Sequence, residues 1–324
     1  MPESKSDRAL VIGTRQSKLA VWQAQYIAAA LRKLYADLDV SLKFFETHGD
    51  RTLDKPLPEI GGKGVFTAEL ESALLSREID IAVHSLKDLP TDMDSRFAIA
   101  AIPERALPFD VLISRDRQSL AALPRGATVG TSSLRRVAQI KAFRPDLQTQ
   151  SLRGNVPTRI ARAQVADGPY DAIVVAAAGL DRLDMEDAIT EILAPEVMLP
   201  APAQGALAVQ CLSDDAELLK ALAPLDHTQT RLAVTAERSF LNALDSGCRL
   251  PVAALAWLDG QSLSLTGRVA SLDGSQVITE WKMTPLSGDQ GYQAAIRLGA
   301  DLAQMALAEG AAALLDAVRA EIDG

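Results

Sequence analysis

The stretch that decides the fold is Thr128-Val129-Gly130-Thr131-Ser132-Ser133-Leu134-Arg135-Arg136. Residues 128–131 form a short strand candidate, and 132–143 carry a helical period. A strand thus runs through a hydroxyl-rich turn straight into a helix, and the pattern recurs outward in both directions. Upstream, residues 9–12 form an apolar strand candidate followed by a loop, Gly13-Thr14-Arg15-Gln16-Ser17. A helix then runs from Lys18 to about Leu34 with Ser17 as its cap. Leu19, Trp22, Tyr26, Ile27, Ala30, Leu31 and Leu34 are expected to share its buried face. Val40, Leu42 and Phe44 alternate as a strand does, residues 66–77 are helical, and 79–83 form a buried strand ending at His84-Ser85-Leu86-Lys87-Asp88. Downstream, 147–152 lead into a helix near 156–165, and 172–176 form another strand. Such alternation predicts α/β architecture with largely parallel sheets, whose ligands gather beyond the carboxyl ends of the strands. The polar segments after Ile12, Val83, Gly130 and Leu152 occupy those ends and are expected to converge.

After Pro195, Pro200 and Pro202, residues 205–212 read as one more strand and 229–244 as a helix. The style changes beyond Cys248. Strands at 252–258, 262–269 and 276–283 are separated by Asp259-Gly260 and Asp273-Gly274 turns, and two alanine-rich helices broken at Gly310 follow. This portion reads as a small separate α/β domain with an antiparallel three-stranded sheet. No internal repeat is legible.

A chain of 324 residues is long for a single core, so two or three domains are expected. With 48% hydrophobic and 23% charged residues, global disorder is excluded. The net charge of -9 and an aromatic content of 4% argue against nucleic acid as a partner. Residues 1–8 are polar and do not read as a signal peptide, and the longest apolar run, 172–180, is too short to span a bilayer. Two cysteines, Cys211 and Cys248, fit a reducing compartment, so a cytoplasmic location without membrane attachment is expected. Neither sits in a C-x-x-C pair, and with three histidines no metal site is expected.

Between 131 and 164 lie Arg135, Arg136, Lys141, Arg144, Arg153, Arg159 and Arg162, against a single acid, Asp146. The planar guanidinium fork suits carboxylate or phosphate, and helix N-termini add N–H donors. Arg144 and Arg162 read equally well as a solvated helix face. Arg135, Arg136, Arg153 and Arg159, at junctions without countercharge, point to a small polyanion. A phosphate loop at Gly61-Gly62-Lys63-Gly64 fails, because Gly64 stands where Ser or Thr is required. Asp88, beside Lys87 and before Leu89-Pro90, is either a turn former or a carboxylate able to move protons and stabilise a cation. Cys211, in an apolar strand, reads as inert core. Cys248 lies in a loop beside Arg249, a setting that favours thiolate, and both a reactive and a structural role stay open.

Taken together these motifs resemble the porphobilinogen deaminase (hydroxymethylbilane synthase) family along almost the whole chain. The resemblance is carried by Gly13-Thr14-Arg15-Gln16-Ser17-Lys18-Leu19-Ala20, Gly61-Gly62-Lys63-Gly64-Val65-Phe66, His84-Ser85-Leu86-Lys87-Asp88-Leu89-Pro90 and Gly130-Thr131-Ser132-Ser133-Leu134-Arg135-Arg136. It continues in Leu152-Arg153-Gly154-Asn155-Val156-Pro157-Thr158-Arg159, Gln204-Gly205-Ala206, Thr235-Ala236-Glu237-Arg238 and Gly247-Cys248. Departures are small: Ser246 stands at a position often glycine, and His48 at a variable one.

The resemblance implies two hinged, doubly wound domains like the lobes of periplasmic binding proteins, plus the small C-terminal domain. The implied divisions are 1–103 with 204–224, then 104–203, then 225–324. It also implies a dipyrromethane cofactor attached through Cys248. Four porphobilinogen units are added to it head to tail with loss of ammonia, and hydrolysis then frees hydroxymethylbilane. Asp88 is implied as the catalytic acid–base and as the group that stabilises the azafulvenium cation. Lys87, Ser85, Thr131, Ser132, Ser133, Arg135, Arg136, Gly154 and Asn155 are implied at the cofactor, and Arg15, Ser17, Arg153, Arg159 and Gln204 at the substrate. A monomer is expected, and residues 48–64 are a candidate cover for the cleft. The alternative is a non-catalytic bilobal solute-binding protein for a polyanion, which the carboxylate of Asp88 and the missing signal sequence disfavour.

Overall fold

The computed structural model describes residues 9–47, 67–245, 250–286 and 290–323. The first run of elements is β1 (Leu10–Arg15), α1 (Lys18–Leu34), β2 (Val40–Phe45), α2 (Ala68–Leu75), β3 (Ile81–Ser85) and β4 (Phe97–Ala101). The second is β5 (Asp110–Ser114), β6 (Thr128–Gly130), α3 (Leu134–Phe143), β7 (Gln148–Gln150), α4 (Val156–Ala163), β8 (Ala172–Ala176), α5 (Ala177–Asp181) and β9 (Glu191–Ile192). The chain then returns through β10 (Leu207–Leu212) and α6 (Ala216–Leu222) to α7 (Thr228–Ala243). It ends in β11 (Val252–Asp259), β12 (Ser262–Ala270), β13 (Val277–Pro285), α8 (Gly291–Ala308) and α9 (Ala311–Asp323).

Two five-stranded sheets result, ordered β2-β1-β3-β10-β4 and β7-β6-β8-β5-β9. Neither is largely parallel, which corrects the expectation. β1 runs parallel to β2 and β3, but β10 enters antiparallel between β3 and β4. In the second sheet β6 is parallel to β7 and β8, and β5 is antiparallel to β8 and β9. A buried central strand is apolar on both faces and carries no mark of its direction. The inserted strands β5 and β10 follow crossovers between the lobes at 102–109 and 193–206.

Local expectations hold with two corrections. β1 continues through Gly13, Thr14 and Arg15, which pair with Lys43, Phe44 and Phe45 of β2, so the segment expected as loop is mostly strand. On α1 the buried residues are Ala20, Gln23, Ala24, Ile27, Ala28 and Leu31, whereas Tyr26 and Leu34 are exposed. Trp22 and Tyr26 instead stack on each other at 5.3 Å, and the Arg182 guanidinium of the second lobe lies 5.7 Å from the Trp22 ring centroid. The helix therefore uses two faces, one on its own sheet and one toward the other lobe.

The third unit has its own core of Phe240, Leu263, Leu265, Leu298, Leu302 and Leu315, packed between α7, the antiparallel β11-β12-β13 sheet and the last two helices. Glu237 of α7 ties it to both crossovers. This fully buried carboxylate accepts from Arg105 Nη1 and Nη2 at 2.7 and 3.1 Å, from Ala203 N at 2.6 Å and from Ala256 N at 2.8 Å. Among the described residues no single helix is long and apolar enough to cross a membrane.

Candidate active site

Four strand ends carry the side chains expected to be functional. At the end of β1, Arg15 is followed by Ser17, whose Oγ accepts from Ala20 N at 3.3 Å and starts α1. At the end of β3, Ser85 Oγ accepts from Gln23 Nε2 at 2.9 Å, and a single 3-10 turn, Leu86–Asp88, follows. That turn leaves Lys87 half-buried and Asp88 exposed. At the end of β6, Thr131 Oγ1 accepts from Ser133 N at 3.2 Å, and Ser132 Oγ donates to Leu152 O at 2.8 Å, locking this turn to the one after β7. There Asn155 caps α4, accepting from Thr158 N at 3.0 Å, and Gly154 O accepts from Arg159 Nε at 2.7 Å.

Electrostatics brings these ends together across the lobes. Lys87 Nζ donates to Gln204 Oε1 at 3.3 Å, and Gln204 Nε2 donates onward to Asp110 Oδ1 at 2.9 Å. Asp110 opens β5 and is 0% exposed. Its two oxygens face Arg135 Nη1 at 2.7 Å and Arg136 Nη2 at 2.6 Å, and these guanidinium groups also donate to Leu199 O and Val174 O. Arg135 and Arg136 therefore do have a countercharge, contrary to the reading of their own window; it comes from outside that window. Burial alone would raise the Asp110 carboxyl, but Arg135 and Arg136 outweigh it and hold it well below the usual carboxylate range.

The remaining cations are less compensated. Burial pushes the Lys87 ammonium down to about 8; Arg136 and Arg135 add to this, and Asp88 and Asp110 oppose it. Arg159 is pushed down to about 10 by burial and then by repulsion from Arg136 and Arg153, with Asp88 the opposing carboxylate. A guanidinium that is buried beside like charges is the electrostatic signature of an anion site. Among the described residues, Lys87, Arg135, Arg136, Arg153 and Arg159 share one electrostatic neighbourhood with the carboxylates Asp88 and Asp110.

Other arginines of the cluster are structural. Arg144 pairs with Asp146 and donates to Leu120 O, Ala121 O and Leu123 O, and Arg162 Nη1 donates to Arg153 O at 3.1 Å. Cys211 is buried in β10 and burial pushes its thiol up to about 11, as inert core requires. Cys248 and residues 48–64 lie outside the described residues. Sequence reasoning missed Asp110, Gln23, Arg105 and Arg182, and gave no role to Glu237. The one signal available was an acid opening the otherwise apolar run Val111-Leu112-Ile113. Arg182 Nη2 donates to Gly205 O at 2.6 Å, binding the second lobe to the returning crossover.

Comparison with known proteins gives two family matches. Residues 10–220 match the porphobilinogen deaminase dipyrromethane cofactor binding domain, and residues 231–308 match the porphobilinogen deaminase C-terminal domain. A porphobilinogen deaminase of Brevibacillus brevis is 46% identical over 311 residues, covering 96% of this chain and 97% of its own. One from Syntrophomonas wolfei is 46% identical over 308 residues, covering 95% and 98%. Among solved structures, the periplasmic aliphatic sulphonate binding protein SsuA of Escherichia coli aligns at a TM-score of 0.37 and 16% identity, over 74% of this chain and 71% of its own. That likeness is too low to carry weight; the bilobal architecture rests on the two sheet orders.

Proposed function

The chain belongs to the porphobilinogen deaminase family, and from that premise we propose that it condenses four porphobilinogen units head to tail, with release of ammonia, and hydrolyses the product to hydroxymethylbilane. It is a transferase of tetrapyrrole biosynthesis. The family's cofactor is a dipyrromethane, and the residues present fit it. Every pyrrole ring carries an acetate and a propionate, and the electrostatic neighbours Lys87, Arg135, Arg136, Arg153 and Arg159, close to the exposed Asp88, support a seat for such carboxylates. When bound, the cofactor supplies a nucleophilic pyrrole end that primes the chain.

The proposed roles follow from chemistry. Arg15, Ser17, Arg153, Arg159 and Gln204 hold the substrate's carboxylates, while Lys87, Ser85, Thr131, Ser132, Ser133, Arg135, Arg136, Gly154 and Asn155 line the cofactor's seat, and Cys248 anchors it by a thioether. Asp88 protonates the departing amine; the substrate's C–N bond breaks, ammonia leaves, and the carboxylate faces the cation left behind. Asp88 would then accept the proton released where the substrate carbon couples to the growing chain. Burial around Arg135, Arg136 and Asp110 strengthens these charge contacts by excluding water. We further propose the domain divisions 1–103 with 204–224, 104–203 and 225–324, and a monomer working in the cytoplasm.

The observation that carries this reading is the exposed Asp88 set among mutually repelling cations in a chain of this family. Intact mass tests it. Wild-type protein is expected to weigh more than its sequence by a two-pyrrole adduct, and Cys248→Ser to show the sequence mass and no turnover. An active wild type without an adduct, or an adduct surviving in Cys248→Ser, overturns it.

A further inference from the structure

We propose that Arg238 is a positioning residue for Asp88, holding the proton-transfer loop from the domain that carries Cys248. Arg238 is the residue after Glu237 on α7, and the two point to different targets. Glu237 takes the crossovers, as above. Arg238 Nη1 donates to Leu89 O at 2.9 Å and to Leu86 O at 3.4 Å, and Nη2 donates to Pro90 O at 2.6 Å. These carbonyls bracket Asp88 on both sides. The loop's own closure is confined to this one 3-10 turn, its last bond running from Leu89 N to Leu86 O at 3.1 Å, and Arg238 adds three hydrogen bonds from a distant helix.

The geometry has a direct consequence for chemistry. An exposed carboxylate on a one-turn 3-10 segment has little intrinsic rigidity. A guanidinium fork spanning three carbonyls fixes the backbone below it without touching the carboxylate, because the planar donors are pre-organised. α7 ends at Ala243, a few residues before Cys248 in the chain. The Asp88 loop is thereby referenced to the third unit, so a residue outside the first lobe holds the backbone of the proton-transfer group. Misplacement of a reacting group by about 1 Å costs on the order of 100-fold in rate, so loss of the fork is expected in kcat and not in substrate binding.

The inference rests on the proposed role of Asp88, and the experiment separates the two. Arg238→Gln, Arg238→Lys and Asp88→Asn are prepared as holoenzymes and checked for the two-pyrrole adduct by intact mass. Arg238→Gln is expected to lose about 10- to 100-fold in kcat with KM changed less than about threefold. Arg238→Lys, which keeps the charge but not the fork, is expected to lose about fivefold or more; it decides the matter if the glutamine variant does not fold. Introducing Arg238→Gln into Asp88→Asn is expected to change the residual rate less than about twofold, since the positioned group is already gone. Adduct-loaded Arg238 variants with wild-type kcat, or with a KM increase alone, overturn the proposal while leaving Asp88's role intact if Asp88→Asn is inactive. Near-normal turnover by Asp88→Asn overturns both.

Discussion

The two lobes share a scaffold and differ in chemistry. Their sheets have matching orders, with β1, β2, β3, β10 and β4 standing where β6, β7, β8, β5 and β9 stand. The match reaches single atoms. Just before β3, Asp80 Oδ2 accepts from Val11 N at 2.7 Å; just before β8, Asp171 Oδ2 accepts from Thr128 N at 2.7 Å. Gly13 pairs with Ala82, two residues past Asp80, and Gly130 pairs with Ile173, two past Asp171. A Cβ on Gly13 would lie 2.3 Å from Ile79 Cδ1 and one on Gly130 2.7 Å from Tyr170 Cδ1, so in both lobes a packed side chain closes on the glycine and would have to shift for any larger residue. Yet β3 runs into Ser85-Leu86-Lys87-Asp88, whereas β8 runs into Ala176-Ala177-Ala178-Gly179. Under the proposed roles the first lobe supplies the proton chemistry and the second most of the arginines that receive carboxylates. Backbone support tolerates no divergence because a buried N–H must be satisfied, while the strand-end loops are free to differ.

The comparison can be broken most sharply at Asp88. Asp88→Asn should lower kcat by about 100- to 10,000-fold with the adduct retained, if acid–base work resides in the first lobe alone. A steady-state assay showing less than about tenfold loss would erase the division of labour. In the second lobe, Asp110→Asn leaves two buried guanidinium groups short of countercharge, and urea denaturation is expected to show about 3–5 kcal/mol of lost stability. The sign with pH is fixed. Asp110's carboxyl is depressed in the fold, so its contribution is present above the unfolded value of about 3.9 and lost as pH falls through the lower folded one. Part of the wild-type acid limb below about pH 4 should therefore be missing in Asp110→Asn.

Smaller effects sharpen the symmetry. Asp80→Ala and Asp171→Ala should each cost about 1–3 kcal/mol by denaturation, since each leaves a strand N–H unpaired. Asp171→Ala also removes the pair with Arg115, a half-exposed contact worth up to about 1 kcal/mol. Lys87, pushed down to about 8, loses charge as pH rises through that value. Turnover by the cofactor-loaded enzyme is expected to fall about threefold to tenfold above pH 8 as the cofactor's carboxylates lose this cation, and Lys87→Arg, charged throughout, should flatten the kcat profile.

Much of this was legible in the chain. Ser17 declares its helix by residue type and position, the Asp-Gly turns set the last hairpins, and Lys87-Asp88 stands at a strand end because the apolar period stops there. These are local rules of backbone geometry and hydrogen bonding. The likeness of the two lobes was implied by the family resemblance and not by any internal repeat, because it lives in strand order and in single support residues such as Asp80 and Asp171, not in a similar string of letters. The partners of the charged groups escaped notice. Arg135 and Arg136 looked uncompensated, yet Asp110 meets them across 25 residues or more of sequence, Gln204 links Lys87 to that same carboxylate, and Arg238 reaches back to the Asp88 loop. Burial demands that such groups be paired but does not name the partner. The sequence by itself determined which residues could bind a polyanion and move a proton; only the tertiary structure decided which are tied to one another, because the topology chooses which distant strand ends meet.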